Sequence, residues 1–347
     1  MATSRSNPRT DPRMPRALIT GVHGQDGTLL ARTLNDNGWE VHGTARDMET
    51  GASFPGLVVH PADLEDTVGL ASVVDAAEPD LVVNLAGISS VAQSWEQPVL
   101  TSEVSGRVVS DLLEACWSLE RRLGREVRFV QASSSEIFGA PDVSPQNEST
   151  PIRPINPYGA AKANAHHLVR VARARGQFAS NAILYNHESP DRPLAFVTRK
   201  ITHGVAQIAV GRATTITLGN LDARRDWSWA GDVVDALLLI AEAQEADDFV
   251  VASGIAHSVR DFVVAAFRAA GVEEWEDRVL QDQRLLRPTD APELRGDSSK
   301  LRSELGWNPK VDFDGMVRRM VEHDIALLQA DAANGLSRRE RGGTTRR

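Results

Sequence analysis

Between Pro15 and Gln131 the chain alternates short β-branched runs with longer stretches in which apolar residues recur every three or four positions. Runs of the first kind, ALIT, EVHGT, LVVH, DLVVNLAG and VRFVQAS, predict strands buried on both faces. Stretches of the second kind, such as TLLARTLNDN and TVGLASVVDAA, predict helices with one apolar side. Alternating the two calls for right-handed crossovers, which wind a parallel sheet with helices on both of its faces. The expected fold class is therefore α/β, with a doubly wound parallel sheet.

A further helix is predicted after Pro157, a residue suited to an early helical position, and it runs through YGAAKANAHHLVRVARA toward a strand near FASNAILYN. Beyond Asn186 the pattern is mixed. Helices are expected around FVTRKITHGVAQIAV, GDVVDALLLIAEA and VRDFVVAAFRAAG, with short strands at TITLG and DFVVAS. Asp297-Ser-Ser supplies capping side chains for KLRSELGW, and DFDGMVRRMVEHDIALLQA reads as a final amphipathic helix. The expected division is a disordered leader (1–14), a dinucleotide-binding domain (15–185), a smaller α/β substrate lobe that returns some elements to the main sheet (186–331), and a disordered basic tail (332–347).

Composition narrows the classes of function. No run approaches the roughly 18 apolar residues that span a bilayer. The leader has Pro and Arg but no apolar core, so it is not read as a signal peptide, and a cytoplasmic protein is expected. One cysteine, Cys116, rules out an intrachain disulfide and reads as a packing thiol. A net charge of −9 argues against nucleic acid as a partner. The basic end SRRERGGTTRR reads as a solvated tail. No metal site is expected.

Chemistry concentrates after the strand ends. ALITGVHGQDGTLLARTL sets Gly21, Gly24 and Gly27 between a buried strand and a helix, with Gln25 and Asp26 in the same turn. This is a GxxGxxG variant of the dinucleotide fingerprint, in which the helix N-terminus meets a pyrophosphate. After the second strand Arg46 stands where it could hold a ribose 2′-phosphate, which favours NADP over NAD. In PADL, Asp63 reads either as an adenine contact or as a helix cap, with Leu64 beside it. In NLAG, Leu85 and Ala86 lie where the backbone passes close to the cofactor.

In NPYGAAK, Tyr158 and Lys162 share one helix face, and a lysine cation there lowers the phenol pKa, making Tyr158 a base for a sugar hydroxyl. QASSSEIFG follows the fifth strand and puts Ser134, Ser135 and Glu136 at the sheet's carboxyl edge. Ser134 can hydrogen-bond the reacting hydroxyl.

GVHGQDG, QASSSEIFG and NPYGAAK resemble the extended short-chain dehydrogenases, with their Rossmann-type sheet. Together with NHESP (186–190), FVTRKI (196–201), LGNLDARRDW (218–227) and RPTD (287–290), the chain from about Ala17 to Val321 looks like the GDP-mannose 4,6-dehydratases. That resemblance implies a sugar-nucleotide dehydratase with recycled NADP. Tyr158 would act as base at C4 and Glu136 as the acid and base of the C5/C6 elimination. Ser134 replaces the family's threonine and keeps its hydroxyl. Ser89, Asn186, Lys200, Arg225 and Arg287 would hold the substrate, GDP-mannose or a related nucleotide sugar. A homo-oligomer is implied. The short connection DMETGASFPGLVVHPA, where the family has a longer insertion, leaves dimer and tetramer both open. Two other readings stand: an epimerase or 4-keto reductase, which does not need Glu136, and a non-catalytic NADP sensor.

Overall fold

The computed structural model describes residues 13–46, 53–286 and 288–342. Most of the expected leader, residues 47–52 of the connection after Arg46, Arg287, and the last five residues lie outside that range. Seven parallel strands form the central sheet: β1 (Arg16–Thr20), β2 (Glu40–Ala45), β3 (Leu57–Pro61), β4 (Leu81–Asn84), β5 (Arg128–Ser134), β6 (Ala179–Leu184) and β7 (Asp248–Val251). Their order is β7-β6-β5-β4-β1-β2-β3, so the winding reverses between β1 and β4. In an open parallel sheet a ligand crevice forms outside the strand ends at that reversal.

Successive strand residues point to opposite faces, and the chain uses both faces as core. Ala17, Ile19, Leu81, Val83 and Val130 pack with Leu30 and Leu34 of the Gln25–Asp36 helix and with Leu237 and Ile240 of the Ala230–Glu242 helix. Leu18, Val82 and Phe129 pack on the other side with Val108, Leu112 and Val169. The expected strand in DFVVAS is β7, which returns to the sheet beside β6.

The second lobe has its own core, built from Ile201, Val205, Phe262, Met316 and Met320. Its small sheet is centred on Arg224–Trp229, which pairs with Asn186–Glu188, Ala256–Ser258 and Glu293–Leu294. The expected strand in TITLG pairs with Val279–Gln281.

The helical stretch that ends at Leu123 is interrupted: it is α-helical at Pro98–Ser102, a π turn at Glu103–Arg107, and α-helical again at Val108–Leu123. The wide turn brings Gly106 so near the Pro157–Ala174 helix that a Cβ on it would lie 3.1 Å from the Ala161 carbonyl. It also aims the Ser105 hydroxyl at the backbone N–H of Ile88, 2.9 Å away. The final helix runs Phe313–Gly342, so its backbone continues past residue 332, where a disordered tail was expected to begin. Between Leu336 and Gly342 there is no proline to stop it, and Arg and Glu are good helix formers.

Candidate active site

Thr20 ends β1 with a buried hydroxyl that organises the carboxyl edge of the sheet. It donates to Asn84 Oδ1 at 2.6 Å and accepts from the N–H groups of Leu85 and Ala86, each at 3.1 Å. Asn84 in turn donates to Gln131 Oε1 at 2.8 Å. The three side chains form a polar ladder across β1, β4 and β5.

The glycine turn follows directly. Gly21 has a φ of +71°, and a Cβ on Gly27 would fall 2.3 Å from the Gly21 carbonyl and 2.8 Å from Val22 Cα. Side chains are excluded there, which leaves a cradle beside the start of the Gln25–Asp36 helix. Gly24 caps that helix without a side-chain hydrogen bond, so its first N–H groups face outward as an anion site does. These features fit a dinucleotide pyrophosphate.

Gln25 and Asp26, read from sequence as cofactor residues, also tie this turn to the second lobe. Gln25 donates to the His187 carbonyl at 3.1 Å and accepts from Ser189 Oγ at 2.9 Å, while Asp26 Oδ2 lies 2.8 Å from His187 Nε2. Arg46 is exposed just past the end of β2, and Leu64 is half-buried against the core. Asp63 accepts the Glu65 N–H at 3.0 Å, whereas the next helix is capped by Asp66. The helix-cap reading of Asp63 is thereby overturned: Asp66 stands one residue before the helix and reaches the Gly69 N–H at 2.9 Å.

A cleft of about 400 Å³ opens between the sheet edge and the second lobe, lined by Leu85, Ser89, Ser134, Ser135, Glu136, Tyr158 and Lys162. Ser134 caps a 3-10 turn, its Oγ accepting the Glu136 N–H at 3.2 Å. Asn156 is the N-cap of the Pro157–Ala174 helix, accepting the Gly159 N–H at 2.7 Å, and its amide donates to Glu136 Oε2 at 2.7 Å.

Lys162 is buried, its Nζ donating to the Ala132 carbonyl at 2.9 Å and lying 5.9 Å from the Tyr158 ring centroid. Burial pulls the Lys162 ammonium down to about 8. Burial raises the Tyr158 phenol, and Glu136 adds to the rise, against a lowering hydrogen bond from Ser134. The sequence expectation of a lowered phenol is therefore corrected, because loss of water around the ring outweighs the favourable contacts.

The second lobe contributes Asn186, Lys200 and Arg225 to the same cleft. Arg225 is largely committed elsewhere: it pairs with Asp290 and donates to the carbonyls of Ala291 at 2.9 Å and Arg224 at 2.8 Å. Trp227 lines the cleft on one side and packs on Phe262 and Phe313 on the other, while Trp229 is stacked by Arg319.

Sequence reasoning passed over His187, Glu188 and Arg192, which also face the cleft. The Arg192 guanidinium stacks 3.8 Å over Phe196, and its Nε is 3.5 Å from Glu188. Burial pushes the Glu188 carboxyl up. The signal was available, since charged residues inside a short segment that starts as a strand need partners. Nearby, Arg199 donates to the Pro190 carbonyl at 2.9 Å and pairs with fully buried Asp324 of the last helix.

The sheet order, the glycine turn at the reversal point and the Ser134, Tyr158 and Lys162 cluster define a nicotinamide-dependent enzyme of the extended short-chain dehydrogenase class. The chain is similar to a UDP-glucose 4-epimerase of Thermus thermophilus in complex with NAD, at 29% identity and a TM-score of 0.77, over 89% of this chain and 98% of that one. The dTDP-glucose 4,6-dehydratase DesIV of Streptomyces venezuelae shares the fold, with a TM-score of 0.77 at 22% identity over 88% of this chain and 96% of that one.

Within that class the chain belongs to the GDP-mannose 4,6 dehydratase family, whose profile matches residues 18–320. GDP-mannose 4,6 dehydratase 1 of Arabidopsis thaliana is 40% identical over 95% of this chain and 96% of that protein. The human GDP-mannose 4,6 dehydratase is 39% identical over 91% of this chain and 92% of its own length.

Proposed function

We propose that the protein is an NADP-dependent hydro-lyase that converts GDP-mannose to GDP-4-keto-6-deoxymannose and water. The observation that favours this reading is the Glu136 carboxylate in one cleft with Ser134, Tyr158 and Lys162. An epimerase or 4-keto reductase needs the last three and has no use for that carboxylate, and an NADP sensor needs none of them. Family membership supports the same reading.

Gly21, Gly24 and Gly27 would hold the pyrophosphate, Arg46 the ribose 2′-phosphate, Asp63 and Leu64 the adenine end, and Leu85, Ala86 and Lys162 the nicotinamide end. When bound, the nicotinamide supplies hydride acceptance at C4 and hydride return at C6. Tyr158 takes the C4 hydroxyl proton, with Ser134 hydrogen-bonding the same oxygen and the Lys162 charge favouring phenolate. The resulting ketone acidifies C5. Glu136 removes the C5 proton and passes it to the departing C6 hydroxyl, which leaves as water, and Tyr158 would give its proton to C5 as hydride returns to C6.

Ser89 and Asn186 would face the hexose, and Lys200 would bring its positive charge to the diphosphate. Arg225 brings less net charge because Asp290 already answers it. Arg287, outside the described residues, takes a diphosphate role on the resemblance alone.

We also propose a cytoplasmic homodimer joined through the helices that span Thr101–Leu123 and Tyr158–Arg175. Ala160, Asn164 and Val171 are exposed at helical spacing on the second of these. The test of function is to incubate the purified protein with GDP-mannose, UDP-glucose and dTDP-glucose and weigh the products. Loss of one water from GDP-mannose is expected, and an unchanged mass for it would overturn the reading.

A further inference from the structure

Glu136 is asked to accept one proton and deliver it to another atom, and the surroundings of its two oxygens decide which of them meets the substrate. Asn156 sets those surroundings. The side chain is buried, and its two ends face opposite demands: an N–H of Gly159 on one side and a carboxylate on the other. The amide oxygen must therefore face Gly159 and the NH₂ must face Glu136. Oε2 of Glu136 receives a donor that cannot exchange its proton in the reaction, and Oε1 is left to meet the substrate.

The contact is rigid for a second reason. Gly159 sits so close beneath Glu136 that a Cβ there would be 2.5 Å from the Glu136 carbonyl. The helix start, the Asn156 cap and the Glu136 turn thus form one packed unit, and that helix carries Tyr158 and Lys162.

We infer that Asn156 is a positioning residue for the elimination, holding Glu136 Oε2 so that Oε1 performs the proton transfer in register with Tyr158. This rests on the dehydratase reading above. Asn156 does not touch the reacting atoms. Its effect runs through Glu136, so it should alter the second half-reaction and spare the first.

Asn156→Asp separates this role from capping, because aspartate caps a helix as well as asparagine does. It replaces the donor with a second carboxylate beside Glu136, which raises the pKa of the pair. The measurement is single-turnover formation of reduced nicotinamide together with deuterium uptake at C5, both as functions of pH, on the full-length protein loaded with NADP and GDP-mannose. The expected result for Asn156→Asp is a melting temperature lowered at neutral pH and restored toward the parent's in acid, near-normal oxidation, C5 exchange lowered about ten-fold or more, and its acid limb moved up by about one pH unit or more. Asn156→Ser, which keeps a capping oxygen without the charge or the donor, should also slow exchange while leaving the limb nearer its original place.

Normal exchange with an unmoved acid limb in Asn156→Asp would overturn the inference. So would equal loss of oxidation and exchange in both variants, which would make Asn156 merely structural. Glu136→Gln run alongside keeps the two readings apart: if that variant exchanges C5 normally the dehydratase assignment itself falls, and if it does not, an unaffected Asn156→Asp sinks only the present inference.

Discussion

Asp26 Oδ2 and His187 Nε2 lie 2.8 Å apart, joining the first turn of the helix after the glycine loop to the first strand of the second lobe. Burial disfavours the charge on each. For Asp26 the His187 cation and its hydrogen bond more than offset that and hold the carboxyl below its usual range. For His187 burial is likewise outweighed by Asp26, and the imidazole is raised.

This pair gives stability a pH signature. A lowered carboxyl contributes above its unfolded pKa of about 3.9 and is lost as pH falls through the folded value, whereas a raised imidazole contributes fully below about 6.5 and is lost as pH rises through its folded value. Asp26→Asn should therefore be most destabilised between about pH 4 and pH 6.5, by roughly 1–3 kcal/mol, since His187 can shed its proton when its partner is gone. Thermal melts at pH 5 and pH 9 check this. A deficit that does not shrink at the higher pH would count against the ion pair.

Glu136→Gln should divide the reaction in two. The amide keeps the side chain's size but cannot accept the C5 proton, so hydride should still leave C4 while C5 exchange and water loss fall by about 10² or more. Tyr158→Phe should block the first oxidation instead. Absorbance of the reduced nicotinamide and deuterium incorporation at C5 distinguish them, and full activity in both would show the catalytic cluster to be misassigned.

Lys162, pulled down to about 8 by burial, carries its charge only below that pH. Oxidation in single turnover should fall as pH rises through about 8, and Lys162→Met should be slow throughout and lack that limb. The sign for stability is the reverse of the usual lysine case. The folded state pays for a buried charge below about pH 8, and the penalty is relieved as pH climbs toward the unfolded value of about 10.4. Lys162→Met should thus be more stable than the parent at pH 7 and approach it above pH 10 in denaturant titrations.

Arg46→Ala should weaken NADP and leave NAD almost untouched. A charge-assisted contact to a phosphate contributes about 1.5–3 kcal/mol, or roughly ten-fold to a hundred-fold in affinity. Calorimetric titration with both nucleotides is the check. Equal loss for both would place Arg46 elsewhere in the site.

Val171→Glu tests the dimer. Val171 is 66% exposed on the Pro157–Ala174 helix, and a carboxylate buried there against its symmetry mate would split the pair. Light scattering at micromolar concentration should give a dimer for the parent and a monomer for the variant; a monomeric parent would refute the proposal.

The parts of the site legible in the sequence are those contiguous along the chain. The glycine turn, the serines before Glu136 and the Tyr158–Lys162 spacing each sit at a strand end or on one helix face, where periodicity alone fixes their direction. The ladder of Thr20, Asn84 and Gln131 was readable in principle, as the polar residues breaking three apolar runs. Only register shows that Thr20 faces Asn84 and Asn84 faces Gln131.

The Arg224–Trp229 strand was hidden because its charges looked like binding groups. Arg225 lines the cleft and is also paired with Asp290, and Asp226 accepts from the N–H groups of Ser253 and Gly254, each at 2.9 Å. The links from Gln25 and Asp26 to His187 and Ser189 span more than 160 positions, and no local pattern announces them.

The Arg199 side chain ties the Pro190 turn to Asp324, and this sets an order of events on the ribosome. Domains fold from the N-terminus as they emerge. The glycine cradle is complete in sequence long before residue 324 is made, yet the turn that closes the substrate side gains its buried anchor only when the last helix arrives. A chain released short of Asp324 should therefore hold nucleotide without forming a finished sugar pocket.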